Sequence, residues 1–140
     1  MLTRPCSGGI VFFNNRVLIM ENEKHEWILP QTRIPRNHDP EQTILEFIES
    51  RLGLNTSILG LAGNSNYEFY SITRMRPVRN EITWYAMTCA TAQLTPKLDA
   101  SLLSAGFASM EQALKQITYS QDKSVLMLAY QRYREQKADD

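Results

Sequence analysis

The stretch "DPEQTILEFIESRLGL", residues 39–54, constrains this chain more than any other. Asp39 suits an N-cap, Pro40 the first helical position, and Gln42 can close a capping box. Gly53 suits the left-handed residue that ends a helix. Between these ends, Ile44, Leu45, Ile48 and Leu52 recur at helical spacing and predict one buried stripe. A helix over about 40–52 follows. Positions three and four apart share a helix face, so Phe47, Ser50 and Arg51 project together on a flank of that stripe.

Strand signals surround the helix. "GGIVFF" and "RVLIM" flank Asn14-Asn15 and predict a hairpin, since Asn tolerates the positive φ of a tight turn. "EWIL" reads as a short strand ended by Pro30, and residues 31–38 as loop. "TSILGLA", "YEFYSI" and "EITWYAMTCATA" read as three further strands, with "TRMRPVRN" as the turn between the last two. Ser109 and Gln112 cap a short helix, "MEQALKQI", and Ser120 starts a final one. No repeat, low-complexity stretch or linker divides the chain, so 1–140 is expected to be a single α/β domain, a mixed sheet with helices on its faces.

Bulk charge removes some function classes. Lys plus Arg and Asp plus Glu are both 15, so no global field draws the chain to nucleic acid or membrane. No apolar run approaches a membrane span, and the N-terminus lacks a signal-like apolar stretch. Cytoplasmic residence is therefore expected. Cys6 and Cys89 sit in apolar segments and read as buried thiols rather than a disulfide or metal pair.

The order of elements and the segments "SGGIVFFNNRVLIM", "WILP", "VRNEITWYAM" and "GFASMEQALKQITYSQDKSVLMLAY" resemble the Nudix hydrolase family over nearly the whole chain. The resemblance implies a Nudix-type α/β/α sandwich with a mixed β-sheet. In the family, a loop and helix carry glutamates that bind magnesium or manganese, and water attacks a diphosphate linked to another group. The spacing from Leu29-Pro30 to Gly53-Leu54 is the family's, without insertion or deletion. The signature's chemistry is not kept. Thr32 stands at its first glycine and His38 at its first glutamate. Glu46-Phe47 stands where Arg-Glu belongs, and Ser50-Arg51 replaces a pair of glutamates.

Magnesium is a hard cation that prefers carboxylate and phosphate oxygens. Here one ligand position is apolar, one is a neutral hydroxyl and one is cationic. An arginine about 5 Å from a dication costs on the order of 6 kcal/mol at an effective dielectric near 20. The degenerate positions Thr32, His38, Glu46, Phe47, Ser50 and Arg51 therefore provide no catalytic set, and no metal or other cofactor is expected; Mg or Mn enters only if hydrolysis survives with displaced ligands. Glu46 and Glu49 read as a solvated acidic face, Glu41 as a first-turn acid along the buried stripe, and Glu68 and Glu81 as acids on or beside strands. His38 reads as an exposed loop residue, since His25 is the only other histidine.

Anion binding is the function such a flank can retain. Arg33, Arg51, Arg79 and Trp84 are the expected ligand contacts, with guanidinium forks for phosphate and an aromatic face for a base. Arg33 and Arg36 lie in the signature loop. Arg74, Arg76 and Arg79 cluster in "TRMRPVRN", as solvated charge or as a phosphate or RNA contact. Tyr67, Phe69, Tyr70, Trp84, Tyr85 and Trp27 sit in strand segments and read mostly as core, with one or two able to line a cleft and stack on a base. Related enzymes acting on dinucleoside polyphosphates place a phosphate-binding lysine near the position of Asn80, which lacks that charge. Three functions stay open: a non-catalytic binder of a nucleotide-like ligand, RNA or a protein; an active pyrophosphohydrolase with displaced metal ligands; and a structural or dimerisation module.

Overall fold

The computed structural model describes residues 1–139. Ten elements follow one another: β1 (Leu2–Phe13), β2 (Arg16–Glu21), β3 (Trp27–Ile28), β4 (Gln31–Arg33), α1 (Pro40–Leu52), β5 (Thr56–Ser71), β6 (Arg76–Cys89), β7 (Ser104–Ser109), α2 (Met110–Gln116) and α3 (Ser120–Asp139). The seven strands form a mixed sheet in which β1 and β6 are parallel and the other pairs antiparallel. One face packs on α1 through Val11, Leu18, Ile44, Ile48, Leu52 and Met87. The other packs on α2 and α3 through Ile10, Phe12, Trp84, Ala113, Val125 and Leu126. This is the expected α/β/α sandwich.

The sheet forks. β1 and β2 pair only at Phe12–Val17 and Phe13–Arg16, beside the Asn14-Asn15 turn, where both asparagines have positive φ. Beyond those pairs the strands part. The free edge of β1 takes β4, at Cys6–Arg33 to Gly8–Gln31. The free edge of β2 takes β3, at Met20–Ile28 and Glu21–Trp27. The short link through Leu29 and Pro30 joins the two prongs, with the Gly9 N–H donating to the Pro30 carbonyl at 2.9 Å.

Helix α1 forms as its ends dictate. The Asp39 carboxylate accepts from the Gln42 backbone N–H at 2.9 Å, and Gly53 closes the helix at φ 66°. The Gln42 side chain does not complete a capping box; it donates to Glu46 at 3.0 Å. Thr43, Ile44, Ile48 and Leu52 are buried, while Leu45 is only half-buried and Glu41 is exposed instead of following the stripe.

Several expected boundaries are corrected. Residues 31–33 are a strand, not loop, because the fork leaves an edge of β1 to pair with. "TSILGLA" and "YEFYSI" belong to one strand, β5, whose register shifts at Ile58/Gly60 and Leu61/Gly63 let it bend without breaking. The "TRMRPVRN" turn is shorter than expected: from Arg76 onward the chain is already β6, because Arg76 and Pro77 pair with Ser71 and Tyr70 of β5 and β1 adds a parallel partner from Leu2–Val78 onward. Strand β7, which pairs with β2 from Arg16–Ser109 to Glu21–Ser104, had no periodicity to announce it.

Candidate functional site

A cavity of about 470 Å³ opens in the mouth of the fork. From the β1 prong come Arg4 and Cys6, with Asn80 of β6, Tyr67 of β5, and Gln31, Thr32 and Arg33 of β4. The β2 prong and its loop contribute Met20, Asn22, Glu23, Lys24, Glu26 and Ile28. Helix α1 presents Phe47 and Arg51, beside Ser101 and Leu102, and the start of α3 presents Tyr119, Gln121 and Asp122.

The α1 end is cationic and apolar. The segment after β6 runs along the helix terminus, with Thr95 N–H donating to the Leu52 carbonyl and Lys97 N–H to that of Arg51, both at 2.9 Å. That path places Asp99 3.2 Å from Arg51 Nη2, which also donates to the Lys97 carbonyl at 3.4 Å. Hydrogen bonds from the Ser101 hydroxyl and N–H, and then the Arg51 charge, hold the Asp99 carboxyl below its ordinary pKa. Arg51 Nε is buried and has no hydrogen-bond acceptor in the protein.

The α3 end is acidic. Glu26 accepts from the Tyr119 hydroxyl and, at 2.9 Å, from Asn22 Nδ2. The bond to Glu26 pushes the Tyr119 pKa up to about 12. Asp122 lies in the first turn of α3 and is only 4% exposed, and burial pushes its pKa up to about 6. Between the two ends, Asn80 joins a chain of polar contacts: Arg4 Nε donates to Asn80 Oδ1 at 3.0 Å, and Asn80 Nδ2 donates to the Tyr67 oxygen at 2.8 Å.

The signature positions divide. Thr32, Phe47 and Arg51 line the cavity. His38 is exposed in a turn, its N–H donating to the Pro35 carbonyl, and Glu46 is exposed beside Gln42. The Ser50 hydroxyl donates to the Phe47 carbonyl of its own helix at 3.3 Å. This donor set does not fit magnesium or manganese: an aromatic ring and a paired guanidinium face the cavity where carboxylates would be needed. Among the described residues no group of three or more His, Cys, Asp and Glu side chains is arranged to hold a metal.

The expected ligand contacts divide as well. Arg33 and Arg51 line the cavity; Arg36 does not. Arg79 lies outside it, held by Glu68 at 2.7 Å with Glu81 at 4.0 Å. Trp84 is corrected to a core residue. It is 0% exposed, lies flat against Gly8, where any Cβ would overlap its ring, and donates from Nε1 to Ser65 at 2.8 Å. Arg4, Lys24, Glu26, Tyr119 and Asp122 were not foreseen. Asn80 carries a signal, as the position where a charge is missing, and Tyr67 is one of the strand aromatics able to line a cleft; through Asn80, Arg4 brings a cation to that wall.

No family model matches the chain, and no curated protein matches it in sequence. Solved structures do match in shape. A C. elegans Ap4A hydrolase binary complex superposes with a TM-score of 0.69 at 11% identity, covering 98% of this chain and 99% of that one. An ADP-ribose pyrophosphatase from Streptococcus suis gives 0.70 at 12%, covering 94% and 92%. A NUDIX hydrolase from Nitrosomonas europaea gives 0.67 at 11%, covering 96% and 90%. Likeness at such identities speaks for architecture and leaves activity to the site: the chain has the Nudix hydrolase fold.

Proposed function

We propose that the protein binds a phosphate-bearing, nucleotide-like ligand in the fork cavity and does not hydrolyse it by metal-assisted chemistry. The observation that carries this reading is Arg51. It stands at a signature position where the family carries a metal-binding glutamate, and its guanidinium lines the cavity, 30% exposed and paired with a single carboxylate, Asp99. A guanidinium at a cavity wall pairs with phosphate oxygens in a fork. Arg33, Lys24 and Arg4 line the same cavity. Arg4, held by Asn80, supplies a cation at the wall where Asn80 itself has none. Glu46 and Glu81, the candidate displaced metal ligands, lie outside the cavity, which weighs against the hydrolase alternative.

The ligands named for the structural neighbours, Ap4A and ADP-ribose, are suitable probes alongside ADP. Isothermal titration with each, in magnesium and again in EDTA, tests the proposal. The expected result is binding by at least one that survives EDTA and weakens about tenfold or more in Arg51→Gln, the scale of a lost charge-assisted hydrogen bond. Turnover of any of them with Mg or Mn, lost in Glu46→Gln or Glu81→Gln and kept in Phe47→Ala, would establish the hydrolase instead. Absence of binding by all three would favour a structural module.

A further inference from the structure

We propose that the flank of the β5–β6 hairpin bearing Tyr67 and Phe69 is a docking surface for single-stranded nucleic acid. Strand β1 accompanies β6 only as far as Val78, its partner at Leu2. Past that pair only Tyr70–Pro77 and Ser71–Arg76 continue the hairpin, to a turn at residues 72–75. Just before it, where β1 still flanks β6, Tyr67 and Phe69 are 39% and 37% exposed.

Its register runs without a bulge from Asn64 to Ser71, so the cross-strand pairs Tyr67–Asn80, Phe69–Val78 and Ser71–Arg76 share one face. Arg4, the neighbour of Asn80 on β1, joins that face. There the Tyr67 and Phe69 rings lie 5.9 Å apart, tilted by 30°, and the Arg4 guanidinium sits 5.3 Å from the Phe69 ring centre. Arg76 follows farther along. The nearby acids Glu68 and Glu81 alternate onto the opposite face, where both approach Arg79. Among the described residues no carboxylate pairs with Arg4, Arg74 or Arg76. In a chain with equal numbers of acids and bases this is a local concentration of positive charge beside exposed rings.

Rings that accept base faces, alternating with guanidinium groups that meet phosphates, are the elements of a sequence-tolerant single-strand platform. The row runs side-on along the strand. A lipid surface would instead meet the tip, Ile72 and Met75, and leave Tyr67 and Phe69 unused. A duplex hides the base faces that such rings stack on.

The test is fluorescence anisotropy with labelled oligouridylate and oligoadenylate of about 12 nucleotides, titrated with the full chain between about 50 and 200 mM salt. Expected are saturable binding of both, a log–log salt slope of about −1.4 for two phosphate contacts, and a slope smaller by about 0.7 in Arg76→Gln. Phe69→Ala is expected to weaken binding about tenfold, and Arg76→Gln is expected to leave ADP affinity unchanged because Arg76 does not line the cavity. Arg36→Gln, on an exposed loop, serves as the charge control. The proposal is overturned by no binding at low salt, by Phe69→Ala and Arg76→Gln binding as the unaltered chain does, by equal affinity for a duplex of the same length, or by preference for phosphatidylserine vesicles. Loss of ADP binding alone would overturn the cavity reading and leave this one standing.

Discussion

The two ends of the cavity are built in opposite ways. At the α1 end, every determinant of the helix is local: the Asp39 cap, Pro40, the stripe and Gly53 lie within fifteen residues. That end keeps the family's frame and presents Phe47 and Arg51. At the α3 end, Asp122 is an ordinary first-turn acid in sequence, and its burial depends on strands and loops far away in the chain. The comparison teaches that a helix can preserve its packing face while its functional flank changes completely, because packing and ligand chemistry use different sides of the same cylinder.

The largest expected effect separates those two sides of α1. Ile48 is 0% exposed and packs in the α1-side core. Ile48→Ala is expected to cost about 3–4 kcal/mol in urea unfolding, while Phe47→Ala, at a half-buried position, costs clearly less. Equal costs would mean that the flank is as much a part of the core as the stripe.

The second effect belongs to the α3 end. The folded pKa of Asp122, about 6, lies above the ordinary carboxyl value of 3.8, so folding favours the protonated acid. Its contribution to stability is complete below about pH 4 and is lost as pH rises through about 6. The shift corresponds to at most about 3 kcal/mol. The unfolding free energy of Asp122→Asn minus that of the unaltered chain is therefore expected to grow from pH 4 to pH 7. A flat difference would mean that Asp122 is not desolvated as its burial implies.

Smaller effects test the frame's end and its altered flank. Asp39→Ala removes the cap on Gln42 N–H and is expected to cost about 1 kcal/mol. Arg51→Gln breaks a pair whose side chains are 30% and 52% exposed, so its effect on stability is expected to be the smallest of these. A large loss of ligand affinity with a small loss of stability is the pattern that marks Arg51 as a binding residue rather than a strut.

The parts of the fold that were legible are those whose signals are short-range. Asn14-Asn15 makes its hairpin, and α1 begins and ends where its caps lie. Strand β7 was missed because its pairing with β2 is long-range and "SAGFAS" has no clear alternation. Trp84 was misjudged because an aromatic residue on a strand looks the same in sequence whether it meets a ligand or, as here, the bare backbone of Gly8. Arg79 lies outside the cavity because pairing, not residue type, decides its place: Glu68, across the hairpin, holds it there.

By itself the sequence determined the α1 frame, the hairpin turn and the absence of glutamates at positions 47, 50 and 51. These are properties of neighbouring residues or of residue identity alone. Only the tertiary structure decided that the sheet forks, that a cavity forms in the fork, and that Arg4 reaches Asn80 across 76 positions of chain. Parallel pairing of β1 with β6 makes that contact, and the free energy that selects it comes from burying both strands between helices rather than from any local preference.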